Sequence, residues 1–326
     1  MDFTKLISRK IVLGEAAGRQ ERVFHISLGI SRDYVVQAGV LMTSIVRHNP
    51  GTALSFHVFC DVIDEPDLQR METLAGQEKD IAITIYCINK AEMSHMQSSL
   101  RYPVAIFYRL ISAALLKQSA ERLLYLDSDM LCMGSLQQLD AASFDGICMA
   151  AKDSGDWIPL HKQEIGLPSD HDYFNSGVLY IDLQQWNEAR ISERAIELLA
   201  ERSFSFPDQD ALNILIGERY QPLPEKYNFF CSKCTEADLP QDTVFLHYAG
   251  DIKPWHPWCK SGLKERWEKG LRESLWQGYR YLPRNYQENR LMGRVARKQG
   301  HYRKALVWYW RYVADKIKFK KEKLKK

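Results

Sequence analysis

The sequence predicts an α/β protein with a Rossmann-like, mainly parallel or mixed sheet, followed by a basic, aromatic helical segment. Three observations carry this. Short β-branched runs alternate with stretches of helical periodicity, the order that builds βαβ units. One run, Arg122-Leu-Leu-Tyr-Leu-Asp-Ser-Asp-Met130, ends in two aspartates, and open α/β sheets bind ligands at the carboxyl ends of their strands. Beyond Cys259 the chain turns basic, with 21 Lys/Arg and 6 Asp/Glu in residues 260–326.

The elements follow in order. Residues 1–21 read as a polar leader. Val23–Gly29 reads as a first strand and Val35–His48 as a helix, stopped by Asn49-Pro50-Gly51. Leu54–Cys60 alternates as a strand does, and Asp64-Glu65-Pro66 opens a helix to about Ala75, with the proline suited to a first turn. Ile81–Ile88 is β-branched and strand-like; Phe107–Lys117 is helical. After the Asp-x-Asp strand come strands at Ile147–Ala151 and Gly177–Leu183, then helices over Gln184–Arg202 and Asp208–Ile216. The expected division is a leader (1–21), a catalytic α/β domain (22–258) and a basic helical region (259–326).

At 326 residues the chain can bury one large core, and 26% charged residues fit a globular protein rather than a disordered one. The net charge of +3 conceals an acidic body under a basic tail, which points to an anionic partner reached through the tail. Lys5, Arg9 and Lys10 interrupt any signal-peptide core, and no run reaches the ~18 apolar residues of a membrane span. Seven scattered cysteines fit reduced thiols in a cytosolic protein, and Cys231-Ser-Lys-Cys234 lacks the second pair of a zinc site.

The chemistry-bearing segments are each ambiguous alone. Asp127 and Asp129 alternate onto one side of their strand and offer hard oxygen donors for Mg²⁺ or Mn²⁺; solvated turn aspartates are the plain alternative. Asn175, Ser176 and Gly177 form a small polar turn able to approach a sugar, or simply a turn. Pro207-Asp-Gln-Asp210 starts a helix with acidic and amide groups that can also serve only as caps. In Val244-Phe-Leu-His-Tyr-Ala-Gly-Asp-Ile-Lys-Pro-Trp-His256, His247 can complete a metal site with the aspartates, more acceptably for Mn²⁺ than for Mg²⁺. Gly250 lets backbone approach phosphate and Lys253 neutralises it. Arg109 is a phosphate ligand or a core ion-pair residue.

Together these segments resemble the retaining family 8 glycosyltransferases of the GT-A fold, in particular those that add glucose or galactose to the lipopolysaccharide core of Gram-negative bacteria. The resemblance runs from about Arg22 onward. It rests on Phe107-Tyr-Arg-Leu110, Leu124-Tyr-Leu-Asp-Ser-Asp129, Tyr173-Phe-Asn-Ser-Gly-Val178, Asp208-Gln-Asp210 and His247–His256, in the family's order. It implies a UDP-glucose or UDP-galactose donor, a lipopolysaccharide core acceptor, and Mn²⁺ (or Mg²⁺) held by Asp127, Asp129 and His247. Gly250 and Lys253 would hold the diphosphate. Ser128, Ser176 and Gly177 lie within the motifs that surround the donor. Arg109, Asp153, Asn175, Asp208 and Gln209 would surround the hexose, with Gln209 on the reacting face. Gly29 and Ile30 fall where the first strand meets the uridine.

One position departs from the family pattern: Ser31 stands where an aspartate is usual, so the uracil contact loses charge assistance unless Asp33 supplies it. Same-face attack by the acceptor is the favoured route to retention; a covalent intermediate would need Asp153 or Asp208 as nucleophile. His301–Phe319 places Leu306, Trp310, Val313 and Ile317 on one helical stripe amid basic residues, which suits the anionic cytoplasmic face of the inner membrane, the alternative being packing on the catalytic domain. No nucleic-acid motif accompanies the tail. Competing classes are a haloacid-dehalogenase-like phosphatase and a non-catalytic sugar- or membrane-binding protein. The phosphatase expects its Asp-x-Asp strand near the start of the domain, with Thr or Val where Leu131 stands.

Overall fold

A computed structural model describes residues 1–15, 23–77, 80–93, 107–231 and 234–323. Residues 16–22, the end of the expected leader and the expected domain start, lie outside the described residues, as do 324–326. The strands are β1 (Ile7–Leu13), β2 (Phe24–Gly29), β3 (Leu54–Cys60), β4 (Ile81–Ile88), β5 (Arg122–Leu126), β6 (Met130–Cys132), β7 (Cys148–Lys152), β8 (Phe174–Asp182), β9 (Tyr220–Pro222), β10 (Phe229–Phe230) and β11 (Phe245–His247). The helices are α1 (Val35–His48), α2 (Glu65–Gln77), α3 (Tyr108–Leu115), α4 (Gln137–Asp140), α5 (Ile158–Ile165), α6 (Leu183–Glu188), α7 (Ile191–Glu201), α8 (Pro207–Ile216), α9 (Lys264–Arg272), α10 (Tyr286–Lys298) and α11 (Tyr302–Lys323).

The main sheet runs β1-β4-β3-β2-β5-β8-β7-β9. Strands β2 to β5 are mutually parallel where they pair, as the alternation of strands and helices requires. Strand β8 then inserts between β5 and β7 and runs antiparallel to both, making the sheet mixed rather than simply parallel. Period-two alternation divides each strand between two cores. Ile26, Leu28, Ile83, Ile85, Leu124 and Leu126 face α1 and α2. Tyr86, Ile88, Leu123, Tyr125, Leu179 and Ile181 face α3 and α6 to α8. The result is three layers with the sheet in the middle.

Two expectations need correction. The segment read as a leader contributes β1, which pairs antiparallel with β4 from Ile7↔Ile88 to Leu13↔Ile83. Its charged, half-exposed side chains masked the strand, but Arg9 and Lys10 are what an exposed sheet edge carries to discourage further pairing. The expected single helix over 184–202 is two, broken at Arg190, whose φ of 53° is left-handed. The break lets Trp186 and Ile191 both bury completely, and the Trp186 indole N–H donates to Ser192 Oγ at 2.9 Å.

Strand β5 stops at Leu126. The chain turns at Ser128 and re-enters as β6 in a second sheet of order β10-β11-β6, with Met130 opposite His247. The Asp-x-Asp segment is therefore a crossover between two sheets. Trp255, Leu263 and Trp267 pack beneath the second sheet. Trp276 lies so close over Gly39 of α1 that a Cβ there would meet its ring at 2.5 Å, which is why that helix carries a glycine in its middle.

Across β2, β3 and β4, His25 Nδ1 lies 3.0 Å from His57 Nε2, and His57 Nδ1 lies 3.3 Å from the Tyr86 hydroxyl. Burial pushes His57 down to about 3, with the His25 and Lys10 charges adding to it. A histidine held neutral in the fold binds fewer protons than the unfolded chain between that value and the ordinary one of about 6.5. Its contribution is thus present above pH ~6.5 and lost as the pH falls toward 3. The urea midpoint is expected to fall from pH 7 to pH 5, and His57→Gln, which hydrogen-bonds without titrating, to flatten that slope. An unchanged slope in the variant would remove His57 from the account.

Candidate active site

The site forms where the two sheets meet. Strand β5 delivers Asp127, whose backbone N–H continues the ladder to Gly177 O on β8 at 2.8 Å. The following turn presents Asp129, and its carbonyl accepts from Tyr248 N at 3.0 Å, just past β11. His247, the last residue of β11, reaches Asp129 Oδ1 through Nε2 at 3.3 Å. Its other nitrogen meets Asn228 Oδ1 at 2.7 Å, fixing the ring's orientation. One ligand atom each from Asp127, Asp129 and His247 lies within 4.8 Å of the others, a donor set of two hard oxygens and an imidazole.

Gly177 sits beneath this triad. A Cβ there would lie 2.6 Å from the His247 ring and 2.9 Å from Asp127 Oδ2, so the glycine is needed for the three groups to converge. The residues present suit a divalent cation that tolerates nitrogen.

Charge around the triad is tightly organised. Lys253 Nζ holds Asp129 Oδ2 at 2.5 Å and also donates to Tyr248 O at 2.9 Å. Burial opposes ionisation of Asp129, yet Lys253 and His247 outweigh it and hold the carboxyl far below the usual range. Arg109, on α3, donates to Asp127 Oδ1 at 2.8 Å and to the carbonyl and hydroxyl of Ser176 at 2.7 and 2.6 Å. Its Nε lies 2.8 Å from Asp208 Oδ2 at the start of α8. Burial raises Asp208 despite that guanidinium, and also raises Asp153. Gln209 Oε1 accepts from Asn175 Nδ2 at 2.9 Å and from Ser176 N at 3.1 Å.

These groups open on one cavity of about 1000 Å³. Arg109, Asp127, Asp129, Asp153, Asn175, Ser176, Asp208, Gln209, His247, Gly250 and Lys253 all line it. Six carboxylates contribute: Asp127, Asp129, Asp153, Asp208, Asp251 and Glu288. Gly29, Ile30, Ser31 and Ser128 are not among the described lining residues; Ile30 and Ser128 are buried. Ser31 precedes the turn into α1, where its carbonyl accepts from Tyr34 N at 2.9 Å.

Sequence reasoning missed several participants. Asn228 bridges the site, bonding His247 and donating to Asn175 Oδ1 at 3.0 Å. Its only sequence signal is an amide set among aromatics, Tyr227-Asn-Phe-Phe230. Trp157 and Phe206, 5.0 Å apart, form an aromatic wall that local periodicity does not mark as functional. Tyr281, Arg284 and Glu288 reach the same cavity from the region beyond residue 259. The cysteine pair at 231 and 234 is in the free thiol form.

A mixed α/β sheet whose central strand ends in paired carboxylates, closed by a histidine and a lysine, gives a Rossmann-like fold with a triad that could hold a metal ion. Known proteins narrow the class. The family profile described as glycosyl transferase family 8 matches residues 25–259. A lipopolysaccharide 1,2-glucosyltransferase of Escherichia coli is 31% identical over 86% of this chain and 86% of its own length. A lipopolysaccharide 1,3-galactosyltransferase of Salmonella typhimurium is 29% identical over 90% of this chain and 91% of its own. The galactosyltransferase LgtC, solved with donor and acceptor sugar analogues, superposes with a TM-score of 0.65 at 23% identity, covering 81% of this chain and 99% of that one. The chain belongs to glycosyl transferase family 8, and its fold is of the GT-A type.

Gly177→Ala is expected to push the His247 ring and the Asp127 carboxylate off the added methyl and weaken Mn²⁺ binding by about tenfold or more, since the ends that must move, at 2.6 and 2.9 Å, are those that converge in the triad. Calorimetry with Mn²⁺ alone reads this directly; wild-type affinity in the variant would show that the triad is not the metal site.

Proposed function

We propose that this protein is a retaining hexosyltransferase that moves glucose or galactose from a UDP-sugar onto the lipopolysaccharide core. The observation that carries the reading is the convergence of Asp127, Asp129, His247 and Lys253 on one cavity, in a chain whose curated relatives at about 30% identity bear the names of lipopolysaccharide glucosyl- and galactosyltransferases. Similarity over 86% and 90% of this chain to those two relatives supports a shared acceptor class.

Mn²⁺ or Mg²⁺ held by the triad would supply charge against the departing diphosphate. Lys253 assists from beside Asp129, already placed by two hydrogen bonds, so little reorganisation is needed as negative charge develops. Gly250, with a left-handed φ of 95°, lets the backbone of the 249–253 turn approach the phosphates. Asn175, Gln209 and Asp208, locked together through Ser176, are the groups this reading assigns to the hexose.

Retention through same-face attack is favoured over a covalent intermediate. Asp208 is paired with Arg109 and accepts from Ser176 Oγ at 3.3 Å, an arrangement that lowers its reach and nucleophilicity. Asp153 Oδ1 already accepts from Gly155 N at 3.1 Å, which ties one of its oxygens to its own turn. The phosphatase alternative places its strand early in the domain; here three parallel strands of the main sheet precede β5.

The tail supports work at the cytoplasmic face of the inner membrane. Helices α10 and α11 form an antiparallel hairpin through Gly300, with the Tyr309 ring against Gly293 and Asn289 bonded to Asp315 at 2.8 Å. Leu306, Trp310, Val313 and Ile317 are turned outward, each at least half exposed. No helix among the described residues is long and apolar enough to cross a membrane, so contact would be interfacial.

Three outcomes test this. Asp129→Asn is expected to reduce transfer by on the order of 10²-fold or more with the fold intact, as removal of a group stabilising transition-state charge does; transfer at the wild-type rate would defeat the assignment. UDP is expected to bind tightly only with Mn²⁺ present, and Ser31→Asp to tighten it; equal affinity with and without the ion would count against a bridging metal. Removing residues 301–326, which carry ten Lys/Arg and two Asp/Glu, is expected to spare UDP-sugar hydrolysis but abolish co-sedimentation with anionic vesicles at low salt. If both proteins sediment alike, the tail serves packing instead.

A further inference from the structure

Against its six carboxylates the cavity sets three described cations, Arg109, Lys253 and Arg284, so an anionic ligand enters a field that opposes it. Two of these cations are committed. Arg109 is buried between Asp127 and Asp208, and Lys253 grips Asp129 at 2.5 Å. Arg284 is held otherwise. Its Nε lies 3.6 Å from Asp33 Oδ2, with the two side chains 38% and 59% exposed, and its Nη2 reaches the Asp33 carbonyl at 3.4 Å. An exposed ion pair of that length contributes little.

The backbone around Arg284 is, by contrast, firmly pinned. Glu288 Oε2 accepts from Arg284 N at 2.6 Å and from the Tyr281 hydroxyl at 2.7 Å. Asn285, the next residue, caps α10 by accepting from Glu288 N at 3.0 Å. The guanidinium lies 5.7 Å over the ring of Tyr34, which lines the same cavity and stands edge-on to Trp255. A fixed pivot therefore carries a loosely held cation at the cavity rim.

We propose that Arg284 is a ligand-binding residue of this cavity, supplied by the region beyond residue 259: its guanidinium exchanges Asp33 for the diphosphate of the nucleotide donor. The proposal rests on the donor reading given above. Phosphate oxygens match the planar fork of arginine better than a single distant carboxylate does. Asp33 then acts as a competitor that parks the arginine when the cavity holds no anion. The C-terminal region thereby becomes part of the donor site as well as a carrier of the basic tail.

Calorimetry of UDP with saturating Mn²⁺ tests this in the full-length protein. Arg284→Ala is expected to raise Kd about tenfold, the loss of one charge-assisted hydrogen bond, and Arg284→Lys to recover part of it. Asp33→Asn is expected to lower Kd for inorganic pyrophosphate, which has no uracil for Asp33 to contact, because it frees the arginine. A simple structural strut would behave differently: Arg284→Ala and Asp33→Asn would weaken pyrophosphate binding together, and that outcome overturns the proposal, as does wild-type affinity in Arg284→Ala. Melting temperatures of the variants establish that each is folded. Absence of Mn²⁺-dependent UDP binding in the wild-type protein is a separate result, which removes the donor reading itself.

Discussion

The buried guanidinium of Arg109 is the interaction on which the rest of the site depends. It joins four elements, α3 to the end of β5, to β8 and to the start of α8, through Asp127, Ser176 and Asp208. Burying a lone cation would be prohibitive; burying it with two carboxylates, a carbonyl, a hydroxyl and the face of Tyr125 at 4.8 Å is tolerated because all three nitrogens find acceptors. Burial works against its charge, and Asp127 and Asp208 more than restore it. Deleting one partner would leave an uncompensated charge in the core, so the network acts as a unit.

With Asp127 held from behind, the second constraint is the crossover of the chain from one sheet to the other at Ser128. It takes only three residues to leave β5 and enter β6, and β6 pairs with β11 so that Met130 faces His247. Asp129 is caught in that turn between His247 and Lys253. Lys253 and His247 favour its ionised form, replacing the water it has lost.

The region beyond residue 259 has two chemical faces. Near its start, Trp267 and Trp276 bury against the catalytic body, and Tyr281, Arg284 and Glu288 reach the cavity. Farther on, the α10–α11 hairpin presents an apolar stripe to solvent beside a dense positive charge. Glu288 belongs to both, lining the cavity from the first turn of α10.

Much of the fold was legible in the sequence because its strands obey strong local rules. The run at 81–88 is rich in β-branched residues, the run at 54–60 alternates apolar residues with Ser55 and His57, and the helix at 35–48 ends at an Asn-Pro-Gly stop. The aspartates, His247 and Lys253 were also visible, as polar groups abruptly ending apolar runs. What local pattern could not determine is pairing. The edge strand at 7–13 is half polar and owes its form to β4; the antiparallel insertion of β8 and the break at Arg190 satisfy partners far away in the chain. Asn228, Gly177 and Arg284 acquire their meaning only from neighbours 19, 70 and 251 residues distant, in His247, His247 again and Asp33. Sequence alone determined which groups could do chemistry, because residue type and strand-end position are local properties. Tertiary structure decided which of them meet, because hydrogen bonds and ion pairs depend on distances that only the folded sheets set.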